Sequence, residues 1–217
     1  MIIIIGYQKV SFFLFWVCII LEWRYGMTIF DFIAPLYAIF FNHQTSFYSK
    51  IVNKAKPQLD ISKFSNILDI GCGTGALLKV LCDQSLDVTG VDASIPMISQ
   101  AKRKLKGLPI VLEHVEPDNK LPFEDKSFDL VISSYVVHGL EPAKRMELYR
   151  EMKRISKEYV IIHDYNKNRA LLTTIIEWLE RGDYFNFIQV AQKEMNEIFD
   201  EVNKVNIEKR AAWYICK

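Results

Sequence analysis

The spacing of apolar positions along this chain changes near Lys63. From there on, short apolar runs typical of buried strands alternate with segments whose apolar residues recur every three to four positions, as on one helix face. The runs predict five strands: Asn66–Ile70, Asp87–Val91, Pro109–His114, Asp129–Ser133 and Tyr159–His163. The segments between and after them predict helices: Gly75–Asp83, Ile95–Leu105, Pro142–Ile155, Ala170–Arg181 and Phe187–Phe199. This alternation predicts an α/β fold, with a mostly parallel sheet covered by helices on both faces.

The last part of the chain breaks the alternation. Two further strands are predicted, Glu201–Ile207 and Ala211–Cys216, and only a short polar turn joins them. A helical crossover does not fit into so short a connection. We therefore expect an antiparallel hairpin at the sheet edge, which brings the sheet to seven strands.

Before the first strand, the pattern is helical. Thr28–Phe41 is apolar and aromatic, and Gln44–Ala55 has one apolar face. We expect a helical lid at residues 28–57 within a single domain of residues 27–217. The aromatic side chains of the lid suit an apolar or aromatic ligand, and they suit helix packing equally well: Phe30, Phe32, Tyr37, Phe40 and Phe41.

Residues 1–26 form an apolar extension that differs from the rest. The uncharged run that ends at Leu21 is shorter than the roughly 20 residues of a membrane-spanning helix. A secretory signal also fits poorly, because no small-residue cleavage site follows. Three alternatives stay open: translation that starts at Met27, a membrane-associated helix formed by residues 1–21, and an extension packed on the core.

The net charge and the cysteine spacing indicate which kinds of ligand and partner are not expected. The formal net charge is +1, and the densest basic run, Lys102–Lys106, fits the solvated face of a helix, so we expect no nucleic-acid partner. The four cysteines show neither zinc-site nor disulfide spacing, so we expect no metal. Reduced thiols indicate a cytoplasmic protein.

The segment with the clearest chemistry follows the first predicted strand. It reads LDIGCGTG at positions 68–75 and opens a helix, so glycines bend the backbone tightly and leave room for a ligand. We expect its amides to face a negative group on that ligand. Asp92 ends the second strand about 20 residues later, where a carboxylate can hold ribose hydroxyls.

At this point the chain resembles the class I S-adenosylmethionine-dependent methyltransferases, in particular the small-molecule branch with the ubiquinone and menaquinone C-methyltransferases. The resemblance covers about Asn66 to Lys217. It rests on LDIGCGTG, on VDAS at 91–94, on LPFEDKSFDLVISS at 121–134 and on the closing hairpin. It implies a Rossmann-like sheet whose last strand lies antiparallel between the fifth and the sixth, S-adenosylmethionine as the cofactor, and a small-molecule methyl acceptor.

The resemblance also implies roles for particular residues. Asp69 and the turn formed by Gly71, Cys72, Gly73 and Gly75 would hold the methionine end of the cofactor, and Asp92 would bind its ribose. Ala93 and Met97 would border the adenine, and the carbonyl of Ser133 would face the ammonium group. Relatives often carry Gly-Asp shortly before the Leu-Pro-Phe element, with that aspartate near the adenine amine. Here the stretch departs from the pattern, and either Glu116 or Asp118 can take this place.

Residues that could act on the acceptor follow the fourth and fifth strands. The candidates are Tyr135 and His138 after the fourth strand, and His163, Asp164 and Tyr165 after the fifth. His138 has two interpretations, structural support and proton transfer. His163 and Asp164 are neighbours on a strand, so their side chains point to opposite faces, and we expect one to be buried and the other exposed. His43, in the lid, is expected at the surface.

Two other functions are weighed against methyl transfer. An NAD-dependent dehydrogenase also binds a ribose with an acidic residue, but the run G-C-G-T-G and the antiparallel closing hairpin favour the methyltransferase. A cofactor-binding protein without turnover would need the same turn and no base. Amino-methyltransferases that act on bases carry a proline-rich aromatic signature after the fourth strand, where this chain has Ser133-Ser134-Tyr135-Val136.

Overall fold

The computed structural model describes residues 38–116, 120–168 and 183–217. Within these ranges it has five α-helices: α1 (Phe41–Ala55), α2 (Ala76–Cys82), α3 (Ile95–Lys104), α4 (Pro142–Ile155) and α5 (Tyr184–Ile198). Its strands are β1 (Asn66–Ile70), β2 (Asp87–Asp92), β3 (Ile110–His114), β4 (Phe128–Ser134), β5 (Ser156–Tyr165), β6 (Val202–Asn206) and β7 (Ala211–Cys216). Single 3₁₀ turns occur at Ile61–Lys63 and Val137–Gly139. The expectations for residues 1–26, for most of Thr28–Phe41, for Ala170–Arg181 and for Asp118 lie outside the described residues.

The seven strands form one sheet in the order β3-β2-β1-β4-β5-β7-β6. Strands β1 to β5 pair in parallel, whereas β7 pairs antiparallel with both β5 and β6. The predicted fold class is thereby confirmed, including the last strand between the fifth and the sixth. The carboxyl ends of β1, β2, β4 and β5 lie at one edge of the sheet, where open α/β sheets bind ligands.

Strand β5 is longer than its apolar run predicts. It continues past His163 to Tyr165, because β7 supplies a hydrogen-bonding neighbour as far as the pair Tyr165–Ala211. A partner strand from the far end of the chain therefore extends β5, and a local pattern does not contain that information.

Helices cover both faces of the sheet. On one face, Ile67, Ile132 and Ile161 pack in a core with Ile51 of α1 and Leu78 of α2. The other face has a separate core, in which Leu68, Val131 and Val160 pack with Met152 of α4 and Phe187 of α5. Because both faces are covered, polar side chains at the ends of the central strands are also buried.

Arg145 ties the two helices of the second face together. Its side chain is fully buried on α4, and its guanidinium group makes two hydrogen bonds to Glu194 of α5, at 2.9 and 2.8 Å. A third bond of 2.7 Å reaches Asp183, at the start of α5. A buried arginine needs such carboxylate partners, and this cluster fixes the beginning of α5 near the sheet edge that carries the predicted site.

The described residues contain neither a candidate membrane-spanning helix nor a candidate metal site. No helix among them has the length and apolar character needed to cross a membrane. In the same residues, no cluster of three or more histidine, cysteine, aspartate or glutamate side chains could hold a metal ion.

Candidate active site

The loop after β1 turns at three glycines. Gly71, Gly73 and Gly75 have φ angles of +75°, +55° and +82°, in the left-handed region that favours glycine. A Cβ atom on Gly71 would lie 2.3 Å from Val136, and one on Gly75 would lie 2.5 Å from Leu105. A Cβ atom on Gly73 would meet nothing within 4 Å. The turn is therefore closely packed at its two ends and borders open space in its middle.

The backbone amides of this turn donate hydrogen bonds to the strand β2, whereas the sequence predicted that they face a ligand. The N–H groups of Gly71 and Cys72 donate to the carbonyl of Val91, at 2.8 and 3.0 Å. The N–H group of Gly73 donates to Oδ2 of Asp92, at 2.8 Å. The expectation that the turn amides face a ligand is wrong for these three, because they attach the turn to the end of β2 and so fix its shape.

Asp92 holds the turn from the neighbouring strand. Besides the bond to Gly73, its Oδ1 accepts the N–H of Ser94 at 2.8 Å. The carboxylate is half-buried and oriented by backbone groups on two sides. Each carboxylate oxygen has more than one acceptor site, so Asp92 can accept ribose hydroxyls while it keeps these bonds.

Asp69 is the polar side chain beneath the turn. It is 1% exposed, and its Oδ1 has no hydrogen-bond partner. Burial, and then the charge of Asp92, raise the pKa of Asp69 to about 8. A buried carboxyl group with one unpaired oxygen fits a cationic partner such as the ammonium group of S-adenosylmethionine, and the open side of Gly73 fits a bound molecule. The residues present therefore fit the cofactor that the resemblance implies.

Cys72 has no nucleophilic character in this turn. Its thiol is buried, and burial raises its pKa well above the usual range. A thiol that stays protonated serves packing.

The predicted adenine neighbours lie at the ends of β2 and β3. Ala93 is exposed directly after Asp92, Met97 is buried in α3, and Glu116 is exposed two residues after β3. His114, which the sequence analysis did not select, lies with its Nε2 3.0 Å from the carbonyl oxygen of Ala93. With Asp118 outside the described residues, the choice between Glu116 and Asp118 stays open.

Ser133 joins the ends of two strands. Its hydroxyl donates to the carbonyl of Ile70 at 3.0 Å, and the residue is 1% exposed. It therefore fixes the end of β4 against the strand that leads into the glycine turn.

His138 and Asp164 form a buried pair. The ring nitrogen Nδ1 of His138 lies 2.8 Å from Oδ1 of Asp164, and the backbone N–H of His138 donates to Oδ2 at 3.2 Å. Asp164 is fully buried. The sequence does not predict this pairing, because it joins the 3₁₀ turn after β4 to the end of β5.

His163 lies on the opposite face of the sheet. Its Nδ1 is 3.1 Å from Oγ of Ser134, and that oxygen is 3.2 Å from the hydroxyl of Tyr48 on α1. Burial lowers the pKa of His163 to about 4 and raises that of Tyr48 to about 12, so both side chains are uncharged near neutral pH. Tyr48 belongs to the segment predicted as the lid, and no sequence pattern connects it with Ser134.

The expectation that one of His163 and Asp164 is exposed is wrong. Their side chains do point to opposite faces, but His163 is 1% and Asp164 0% exposed. Both are buried because helices cover the two faces of the sheet at this point, α1 on one side and the 3₁₀ turn with α5 on the other.

Aromatic rings connect the two histidines. Tyr135 lies 4.7 Å from the ring of His163 and 5.2 Å from that of Tyr165, which in turn lies 4.8 Å from His138. Tyr135 has a φ angle of +56°, a conformation that costs a non-glycine residue about 1–3 kcal/mol, and burial raises its pKa. The predicted candidates Tyr135, His138, His163 and Tyr165 thus belong to one group of rings, the aromatic cluster. His43 is exposed and does not take part in it.

A cavity of about 330 Å³ lies at the opposite edge of the sheet, near Ser156 and Lys217. It contains none of the predicted site residues. Ligands bind at the carboxyl ends of strands in open parallel sheets, so we place the candidate site at the glycine turn and the aromatic cluster.

This strand order, with β7 antiparallel between β5 and β6 and a glycine turn after β1, defines the class I S-adenosylmethionine-dependent methyltransferases. Comparisons of sequence and structure agree. The family profile of a methyltransferase domain matches residues 67–158. The chain therefore has the fold of the class I methyltransferases, and the matches to methyltransferases support S-adenosylmethionine as its cofactor.

Similar proteins have names that refer to S-adenosylmethionine or to methyl transfer. Carboxy-S-adenosyl-L-methionine synthase of Nautilia profundicola is 26% identical over 74% of this chain and 73% of that protein. Demethylmenaquinone methyltransferase of Chlorobaculum tepidum is 32% identical over 61% of this chain and 57% of that protein. A solved Methanococcus maripaludis structure assigned to the S-adenosylmethionine-dependent methyltransferases has a TM-score of 0.64, with 21% identity, and covers 86% of this chain and 92% of that one. Among such curated relatives the matched part is 45–73% of the relative's length.

Proposed function

We propose that this protein transfers a methyl group from S-adenosylmethionine to a small-molecule acceptor whose reacting atom carries a proton. The single observation that supports this most strongly is the position of the aromatic cluster. It contains a histidine paired with a carboxylate and follows β4 and β5, at the same sheet edge as the glycine turn and Asp69.

At the cofactor end, we assign binding to residues of β1, β2 and their turns. Asp69 pairs with the ammonium group, Asp92 holds the ribose hydroxyls, and Gly73 leaves the space that the methionine part needs. When bound, the cofactor supplies an electrophilic methyl group on a sulfonium. The protein's part is to place the acceptor in line with that group, and placement of this kind lowers a barrier by up to about 7–11 kcal/mol.

At the acceptor end, we assign recognition to the rings of Tyr135, Tyr165 and Tyr48, with His138 as the proton acceptor. Aromatic walls favour an apolar or aromatic acceptor. The demethylmenaquinone methyltransferases among the relatives act on an acceptor of this kind, as their name states. An acceptor with an N–H or O–H group must lose its proton, and a positioned histidine can take it.

We also propose a cytoplasmic location, because export would separate the protein from its cofactor. The uncharged run within residues 1–21 suits an acceptor that is dissolved in a membrane, if that segment is translated. A nucleic-acid acceptor is disfavoured by the net charge of +1 and by the absence of a basic stripe in the sequence.

The test uses cofactor labelled in its methyl group. The full-length protein is incubated with the labelled cofactor and either a reduced demethylated naphthoquinone or a whole-cell extract, and the products are separated by mass. We expect label in a small apolar product and formation of S-adenosylhomocysteine. Cofactor that stays intact in every mixture would indicate a binding protein without turnover.

A second candidate is carboxyl transfer onto the cofactor. The carboxy-S-adenosyl-L-methionine synthase match favours it, because that alignment covers more of this chain than the menaquinone one does, 74% against 61%. The same experiment separates the two functions. With a carboxyl donor from the cell extract, the cofactor would exchange one methyl hydrogen for a carboxyl group and gain the mass of CO₂, and S-adenosylhomocysteine would not form.

A further inference from the structure

Asp164 contacts three nitrogen atoms. Its Oδ1 lies 2.8 Å from Nδ1 of His138 and accepts the backbone N–H of Tyr165 at 2.8 Å, and its Oδ2 accepts the backbone N–H of His138 at 3.2 Å. The carboxylate is fully buried, whereas the His138 side chain keeps 10% of its surface exposed. Asp164 therefore holds both the ring and the main chain of His138.

This arrangement determines where the imidazole carries its proton. An aspartate carboxylate only accepts hydrogen bonds, so a bond between it and Nδ1 requires the proton on the imidazole. A neutral imidazole with its proton on Nδ1 has its lone pair on Nε2. The rings of Tyr165 and Tyr184, at 4.8 and 6.4 Å and nearly perpendicular to His138, restrict rotation of the imidazole.

We propose that Asp164 is a positioning residue that keeps His138 in the Nδ1–H tautomer, so that Nε2 takes the proton of the methyl acceptor. This inference rests on the proposed function and deepens it, because it defines the acceptor as an O–H or N–H compound. The acceptor's O–H or N–H bond breaks towards Nε2. The electron pair then forms the bond to the methyl carbon from the same atom or, in a hydroquinone, from a conjugated ring carbon, which afterwards loses its hydrogen as a proton to water. The pair of the former carbon–sulfur bond remains on sulfur, and the proton later passes from the imidazolium to water.

The assignment excludes one class of acceptor. A thioether or a tertiary amine carries no proton on its reacting atom, and methylation of such a compound would not need Nε2. Asp164 would then affect stability but not turnover.

The first test needs no variant. The chain has four histidines, so ¹⁵N-histidine labelling of the full-length protein gives few imidazole signals, and His→Gln variants assign them. Long-range ¹H–¹⁵N spectra distinguish the two neutral tautomers. We expect His138 to be the Nδ1–H tautomer at a pH where it is neutral, and an Nε2–H tautomer would overturn the proposal.

The second test uses Asp164→Asn. An asparagine offers one oxygen to three N–H groups, so its NH₂ group must face at least one of them, and the preference for Nδ1–H weakens. We expect the His138 spectrum to move towards the Nε2–H form, while the signals of His163, on the other face, stay in place and show that the fold is intact. An unchanged His138 tautomer in the variant would contradict the proposal.

Activity and binding are measured on the same variants. With methyl-labelled cofactor and cell extract, Asp164→Asn and His138→Gln should each reduce label transfer by about 10²-fold or more, and the exposed His43→Gln should not. Calorimetry should give the same affinity for S-adenosylmethionine in all of them. Full label transfer in Asp164→Asn would overturn the proposal, whereas a wild-type protein that binds no S-adenosylmethionine would overturn the proposed function itself and leave the tautomer result standing.

Discussion

Asp69, at the end of β1, carries its carboxyl group beneath the glycine turn with one oxygen unpaired. The charged form of this group is disfavoured by burial and by Asp92, and nearby Tyr48 and Cys72 are uncharged near neutral pH. The carboxyl group of Asp69 is therefore stable either with its proton or beside a positively charged partner. At the scale of single residues, this carboxyl group favours the binding of a cation.

The raised pKa of Asp69 predicts how stability depends on pH in the cofactor-free protein. The pKa is about 8 in the folded chain and near its ordinary value, about 4, in the unfolded chain. Between these values the folded chain binds more protons, so the contribution of Asp69 to stability falls as the pH rises from about 4 to about 8. An asparagine at position 69 neither binds nor releases this proton, so Asp69→Asn removes the contribution of Asp69 to the pH dependence. We expect the melting temperature of the wild type, relative to that of Asp69→Asn, to decrease between pH 5 and pH 9, and a constant difference would contradict the raised pKa.

Asp92 serves the turn and, in our proposal, the ribose. Asp92→Ala should weaken S-adenosylmethionine binding by about 1–3 kcal/mol, or roughly 5- to 150-fold, because ribose hydroxyls and the N–H of Gly73 lose their acceptor. Asp87→Ala is the matched control, since it changes an exposed aspartate at the other end of β2. Equal affinities in the two folded variants, measured by calorimetry, would mean that the ribose binds elsewhere.

At the scale of elements, the glycine turn combines two different requirements. Gly71 and Gly75 are needed because a side chain would collide with Val136 and Leu105, whereas Gly73 faces open space. The sequence predicts that the three glycines form a tight turn. It does not show which of them are needed for close packing and which one borders space for a ligand.

The two requirements can be separated with Gly73→Val. Gly107 is the matched control, because it also has a positive φ angle, +86°, and open space around its missing Cβ atom. Both substitutions should destabilise the protein by at least about 1–2 kcal/mol through backbone strain. Only Gly73→Val should also weaken cofactor binding, by at least about tenfold. A similar affinity loss in Gly107→Val would show that strain alone accounts for the effect.

The sequence predicts most of the sheet, since periodicity and turn residues are local properties. The bounds of β1 and β7 agree with the predicted ones, and α4 agrees as well. The side-chain contacts within the site could not be predicted in the same way. Asp164 finds His138, and Tyr48 finds Ser134, across separate elements, so only the strand order brings these side chains together. The turn amides were misassigned because the carboxylate that accepts from Gly73 belongs to the next strand.

At the scale of the whole molecule, the described site consists of residues from Phe41 onward. We propose that residues 27–217 form the methyltransferase domain and that residues 1–26 contribute neither to its fold nor to its cofactor site. A chain that begins at Met27 should then bind S-adenosylmethionine with the affinity of the full chain and be more soluble, because an apolar segment is removed. Misfolding or loss of cofactor affinity in the shorter chain would assign the segment to the core.

The central claim is that the edge formed by the glycine turn, Asp69 and Asp92 binds S-adenosylmethionine rather than a dinucleotide. Its most direct test is calorimetric titration of the full-length protein with S-adenosylmethionine, S-adenosylhomocysteine and NAD in separate experiments. We expect saturable binding of both adenosyl compounds and no binding of NAD. Saturable heat from NAD, with none from either adenosyl compound, would contradict the account.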